Sequence, residues 1–161
     1  MNSAASLLTL ILAYSSKYAV DSNLIQAIVI VESRGNTFCA RYEPNYKWLY
    51  FPRENSSRLG ITYETEIQFQ KCSLGPIQVM GAVAREHGFE GHLTKLCDPQ
   101  VGLDYGVRHL KKFLQKYPEE SDAISAYNAG SPRKTAGGLY VNQKYVDRVH
   151  AELIPLRALK D

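Results

Sequence analysis

Apolar positions along this 161-residue chain recur mostly at helical spacing and seldom in the strict alternation of a strand. Leu7, Leu8, Ile11, Leu12, Ser15 and Tyr18 share one stripe and predict a first core helix. The cluster Asp21-Ser22-Asn23 offers N-capping oxygens to a second helix, whose apolar run ends at Glu32. Gly35-Asn36 stops that helix. Thr62 to Gln70 reads as a short helix. Ser73-Leu74-Gly75-Pro76 reads as a turn, with Pro76 near the start of a helix through Ile77, Val79, Met80, Val83 and Ala84 to His87-Gly88. Asp98 caps and Pro99 opens a longer helix. Its buried side is Val101, Tyr105, Val107, Leu110, Phe113, Leu114 and Tyr117, and Pro118 ends it. Ser121-Asp122 caps a short helix over Ala123 to Tyr127 that runs into Asn128-Ala129-Gly130. A last helix carries Val141, Tyr145, Val149 and Leu153.

Residues 37–61 break the pattern. Phe38, Tyr42, Tyr46, Trp48, Leu49, Tyr50 and Phe51 alternate there with Pro44, Asn45, Pro52, Asn55 and Gly60. We expect an irregular aromatic insert, with a short β-hairpin in it as an option. Long loops in compact domains tend to be functional; an apolar flap over the core is the structural alternative. No internal repeat or linker is visible, so the expectation is a mainly α fold in one domain spanning residues 1–161.

Composition changes this picture little. Hydrophobic residues make up 45% and charged residues 22% of the chain, the ordinary globular balance. A net charge of +3 is too small to argue for nucleic acid and suits approach to an anionic polymer such as a bacterial wall. Eleven tyrosines offer flat apolar faces with hydroxyls, which suit sugar and peptide surfaces as well as a core. Cys39, Cys72 and Cys97 are an odd set without metal-like pairing. Free thiols are expected, with one bridge such as Cys39–Cys72 left open. His87, His92, His109 and His150 show no metal spacing either, and neither metal nor cofactor is expected. The apolar start, residues 1–13, lacks the basic segment of a secretion signal, and we read it as helix. No stretch is long enough to span a bilayer.

The residue richest in chemistry is Glu32. A carboxylate at a helix C-terminus faces the negative end of the helix dipole. Its Ile and Val flank adds desolvation. Both favour the protonated form, which a general acid needs to break a glycosidic bond.

Three segments then read together: Val31-Glu32-Ser33-Arg34-Gly35-Asn36, Ser73-Leu74-Gly75-Pro76-Ile77-Gln78-Val79-Met80 and Ala123-Ile124-Ser125-Ala126-Tyr127-Asn128-Ala129-Gly130. In this order they resemble the motifs of the lytic transglycosylases, whose domains share a fold with goose-type lysozyme. Tyr145-Val146 in the last helix, and Asp98-Pro99 with Gly102, Gly106 and Leu110, fit that family's spacing. The resemblance covers roughly residues 7 to 150, and Tyr-Asn-Ala-Gly is its most specific part.

The resemblance implies a lysozyme-like fold. It also implies an enzyme that cleaves the β-1,4 bond between N-acetylmuramic acid and N-acetylglucosamine in peptidoglycan. Glu32 would be the single catalytic acid, then a base toward the sugar's own 6-hydroxyl, giving 1,6-anhydro ends. Activation of water instead would make the protein a hydrolytic muramidase; a glycan-binding module without catalysis is the reading from another class. Ser73, Gly75, Gln78, Met80, Tyr127, Asn128 and Tyr145 would bind substrate. Gln78 would bond the acetamido group and Met80 would shape the pocket. Tyr127 would orient Glu32 or the sugar, and Tyr145 would close the cleft. Core packing is the plain alternative for Met80, Tyr127 and Tyr145, and a helix C-cap for Asn128.

The chain also departs from the family pattern. Gly81 follows Met80 where proline is usual, and Val141 stands where a glutamate is common. Glu43, in Arg41-Tyr42-Glu43-Pro44, is the candidate second carboxylate; an ion pair with Arg41 is its structural alternative. Glu54, Glu64 and Glu66 lie nearby in sequence. The expected partner is the glycan strand of the wall, bound by a monomer. We expect synthesis in the cytoplasm without a cleavable signal and action on the wall after holin-type release, as in a phage or prophage endolysin.

Overall fold

The computed structural model describes residues 6–159. In chain order its elements are α1 (Leu7–Tyr18), α2 (Ser22–Ser33), β1 (Ala40–Tyr42), α3 (Pro52–Leu59), α4 (Tyr63–Gln70), β2 (Cys72–Leu74), β3 (Val79–Met80), α5 (Gly81–Glu86), α6 (Pro99–Lys116), α7 (Glu120–Ala129) and α8 (Gln143–Ala158). A 3₁₀ turn at Leu93–Cys97 precedes α6. The mainly helical, lysozyme-like expectation holds. Residues 1–5, part of the apolar start read as helix, lie outside the described residues. Among the described residues, no helix is long and apolar enough to cross a membrane.

The chain divides into two compact units: residues up to Val31 with those from Val107 onward, and Glu32–Gly106. The first contains α1, most of α2, the second half of α6, and α7 and α8. Its buried side chains include Leu10, Ile11, Leu24, Ile25, Ile28, Val107, Leu110, Ile124, Val146, Val149 and Leu153. α7 packs on α8. Caps set the helix starts: Ser6 Oγ accepts from the Thr9 amide at 3.2 Å, and Asp21 Oδ1 accepts from the Asn23 amide at 3.0 Å. Arg157 near the end of α8 reaches Asp21 at 2.8 Å and Glu120 at 2.7 Å. One guanidinium thereby joins the last turn of α8 to the starts of α2 and α7. Two stripes depart from expectation. Leu8 and Leu12 are exposed, and Leu10 with Ile11 forms the buried face of α1. Val141 lies before α8 and is exposed; its amide donates to the Arg133 carbonyl at 3.0 Å.

The second unit carries an antiparallel sheet in the order β1-β2-β3. Ala40 pairs with Leu74, Tyr42 with Cys72, and Ser73 with Met80. Leu74, Val79, Ala84, Phe89, Leu93 and Leu96 form its apolar cluster. Here the expected helix from Pro76 is corrected. Residues 75–78 are the turn of a β-hairpin, and helix begins only at Gly81. The cause is backbone conformation: Gly75 (φ +80°) and Gln78 (φ +53°) are left-handed, which an α-helix excludes. The insert holds β1, as the hairpin option allowed, and also an unexpected helix, α3. Pro52 opens α3 and Gly60 (φ +65°) closes it, but only Ser56 is buried, so no apolar stripe announced it.

Gly106 allows close packing inside this unit. A Cβ there would lie 2.1 Å from Ile77 Cγ2, so the first half of α6 can approach the hairpin turn only without a side chain.

Candidate active site

Glu32 occupies the last turn of α2 and is partly buried. The helix stops immediately after it because Arg34 (φ +54°) and Gly35 (φ +79°) turn left-handed. Ser33 performs the local work. Its hydroxyl donates to the Pro76 carbonyl at 2.6 Å and accepts the Gly35 amide at 3.1 Å. The end of α2 is thus fastened to the turn between β2 and β3.

That turn has its own internal order. Ser73 Oγ donates to Gln78 Oε1 at 3.0 Å, and Gln78 Nε2 donates to the carbonyls of Cys39 (2.8 Å) and Gly75 (3.0 Å). Both amide protons of Gln78 are therefore used within the protein, and its Oε1 accepts from Ser73. The left-handed φ of Gln78 is an unusual conformation for a side-chain-bearing residue, and these bonds hold it. Gly75 is required sterically: a Cβ would lie 2.0 Å from the Leu96 carbonyl oxygen. Met80 follows in β3, partly exposed. The departure at Gly81 has a physical reason, since a Cβ there would lie 2.3 Å from the Phe69 carbonyl oxygen.

Two other carboxylates of this unit are engaged. Glu43 pairs with Arg41, and its amide donates to the Lys71 carbonyl at 2.8 Å. Glu66 is fully buried and bridged to Arg85 at 2.8 and 3.0 Å. Cys39, Cys72 and Cys97 are free. Cys72 lies opposite Tyr42 in the sheet, while the carbonyl of Cys39 accepts from the Gly75 amide at 2.9 Å. Cys39 and Cys72 are therefore offset along the ladder and not paired. Burial pushes the Cys97 thiol pKa up; the Gly75 amide opposes this and the nearby Cys39 adds to it. Burial likewise raises Cys72.

The remaining candidates lie in the first unit. Tyr127 and Tyr145 are nearly buried, on α7 and α8. The Tyr127 ring lies 5.7 Å from that of His109. Asn128 is exposed, two residues before Gly130, whose left-handed conformation (φ +78°) is the actual C-cap of α7. Two residues here escaped notice in the sequence. Asn142 Nδ2 donates to Asn128 Oδ1 at 2.9 Å and to the Ser125 carbonyl at 3.1 Å, while Ser125 Oγ donates to Asn142 Oδ1 at 2.7 Å. Asn142 thereby fixes the end of α7 against the start of α8. Arg148 donates to the Val31 carbonyl at 3.1 Å, placing a cation at the negative end of α2. Neither residue has a local signature, because both act at long sequence range.

Among the described residues, no group of three His, Cys, Asp or Glu side chains is placed to hold a metal ion. What the second unit offers chemically is one partly buried carboxyl at a helix end, tied to a strained, hydrogen-bonded turn. A protein-family model described as "Transglycosylase SLT domain" matches residues 9–145, most of the chain. Comparison with curated proteins and with solved structures gives no match.

Proposed function

The chain belongs to the transglycosylase SLT domain family, whose members act on peptidoglycan, and on that premise we propose that it cleaves the β-1,4 bond between N-acetylmuramic acid and N-acetylglucosamine, with Glu32 as sole acid and base. The Glu32 carboxyl gives its proton to the linking oxygen, and the bond from that oxygen to the muramic C1 breaks. The 2-acetamido group stabilises the oxocarbenium-like centre, so no carboxylate nucleophile is needed. The Glu32 carboxylate then takes the proton of the C6 hydroxyl as O6 bonds C1, which closes the 1,6-anhydro ring and restores the acid.

The observation that carries this reading is the Ser33–Pro76 hydrogen bond, which ties the Glu-Ser helix end to the turn bearing Gly75 and Gln78. Ser73, Gly75, Gln78, Met80, Tyr127, Asn128 and Tyr145 are proposed as substrate contacts. The hydrolytic alternative has less support, because Glu43, its candidate water-positioning group, is paired with Arg41. A phage or prophage endolysin, acting as a one-domain monomer after holin-type release, is the proposed setting.

Glu32→Gln separates an enzyme from a silent glycan-binding module. Acid–base catalysis contributes roughly 10²–10⁴ in rate, and clearing of outer-membrane-stripped cells should fall by that order. Equal clearing by both proteins overturns the assignment.

A further inference from the structure

We propose that the aromatic run Tyr46–Phe51, with Arg53 and Tyr63, is a second carbohydrate contact of this protein, stacking on amino-sugar rings of the glycan strand away from the bond being cut. The proposal rests on the glycan reading above for its ligand, but on different residues.

Trp48 is 74% exposed and Phe51 59% exposed. Neither ring is isolated. Tyr46 meets Trp48 edge-on at 5.5 Å between centroids, and Tyr50 meets Phe51 edge-on at 4.8 Å. Each pair fixes a ring plane and leaves an exposed aromatic surface, the form that accepts the C–H face of a pyranose. Beside them lies a shallow depression, open to solvent, lined by residues 49–54 and Tyr63. The Arg53 guanidinium lies 4.6 Å from the Tyr63 ring centroid there, and Glu54 is close by. Aromatic faces flanked by charged hydrogen-bonding groups match a sugar, which is apolar on its faces and polar at its edge. An aliphatic partner would have no use for the interleaved Asn45, Lys47, Arg53 and Glu54.

The backbone under this surface is held with unusual care. Phe51 is left-handed (φ +42°), a strained state for a bulky residue that persists only where its surroundings enforce it. Asn55 Nδ2 donates to the carbonyls of Tyr50 and Phe51, both at 2.9 Å, and the residue before Phe51 is gripped by Gln70, which is fully buried. That glutamine accepts the Tyr50 amide at 2.7 Å and donates to the Tyr50 carbonyl at 2.9 Å. Gln70 also donates to Glu66 Oε1 at 2.9 Å. Glu66 is bridged to buried Arg85, which donates in turn to the carbonyls of Phe89 (2.7 Å) and Gly91 (2.8 Å). A buried ion pair and amide thus anchor an exposed aromatic segment. Such rigidity reduces the ordering cost of binding.

Trp48 is the single tryptophan of the chain, so intrinsic emission reports on this surface directly. The test titrates N-acetylglucosamine tetramers and soluble glycan strands into Glu32→Gln protein, with malto-oligosaccharide as control. We expect a saturable emission shift with the first two ligands and none with the third. In the wild-type background, Trp48→Ala should raise KM on solubilised murein about fivefold with kcat within twofold, while Trp48→Phe stays near wild type. Circular dichroism checks that each variant is folded.

Silent emission at saturating glycan together with an unchanged KM for Trp48→Ala overturns the proposal. Emission that follows protein concentration and ignores glycan also overturns it, and identifies a self-association surface. The two readings fail separately. Glu32-dependent cleavage with silent Trp48 removes only the stacking surface. A glycan-dependent shift in a protein that releases no murein product supports the surface and removes the catalytic assignment.

Discussion

Ser33 Oγ and the Pro76 carbonyl oxygen lie 2.6 Å apart, and this hydrogen bond fastens the helix end bearing Glu32 to the turn bearing Gly75 and Gln78. Removing the hydroxyl leaves a partly buried carbonyl without its donor and frees the helix end to drift. Ser33→Ala should lower stability by about 1–2 kcal/mol. It should also lower kcat about tenfold with little change in KM, since misplacement of a reacting group acts on the chemical step. Thermal unfolding and murein-release kinetics check the two halves.

Two glycines give a matched contrast. Gly75 and Gly60 are both left-handed, but a Cβ on Gly75 would lie 2.0 Å from the Leu96 carbonyl oxygen, whereas a Cβ on Gly60 meets nothing within 4 Å. Gly60→Ala should cost only about 1 kcal/mol, the left-handed penalty alone. Gly75→Ala adds overpacking against backbone and should cost about 3 kcal/mol or more. Denaturant unfolding of both variants checks the difference.

Much of this arrangement was legible in the sequence, for physical reasons. Helices with an apolar stripe and a local cap are written in adjacent residues: Asp98-Pro99 opened α6 as expected, with Asp98 Oδ1 accepting the Gln100 amide at 2.9 Å. Thr62 caps α4 in the same way. Glu32 at the end of α2 was readable from its apolar run and the Gly35 stop. The β2–β3 hairpin was not, because Gly75-Pro76 imitates a helix start, and the left-handed Gln78 is held by Ser73 and Cys39, the latter 39 residues away. α3 was hidden because it buries only Ser56. Asn142 and Arg148 act through long-range bonds that no local pattern encodes.

The Glu66–Arg85 pair is buried on both sides and satisfied by Gln70 and two carbonyls. Breaking it from one side strands a charge in the interior. Glu66→Ala should therefore destabilise the protein by about 3–5 kcal/mol, measured by chemical denaturation.

Tyr140 donates to Asp122 at 2.6 Å. Burial first, and then that carboxylate, push its pKa up to about 12. A group with a raised folded pKa stabilises the fold fully below its unfolded value, about 10 for tyrosine, and loses that contribution as pH rises through the folded one. Wild-type stability should therefore decline between about pH 10 and about pH 12 more steeply than that of Tyr140→Phe. Ultraviolet titration of tyrosinate, compared between the two proteins, should show one late-titrating phenol missing from the variant.

The central claim is that the Glu32 carboxyl moves the proton that cuts the strand. Mass spectrometry of the fragments released from purified murein tests it most directly. Wild-type protein should yield muramic ends lighter by one water than hydrolysed ends, and Glu32→Gln should yield almost none. Identical fragments in equal amounts from both proteins would contradict the assignment.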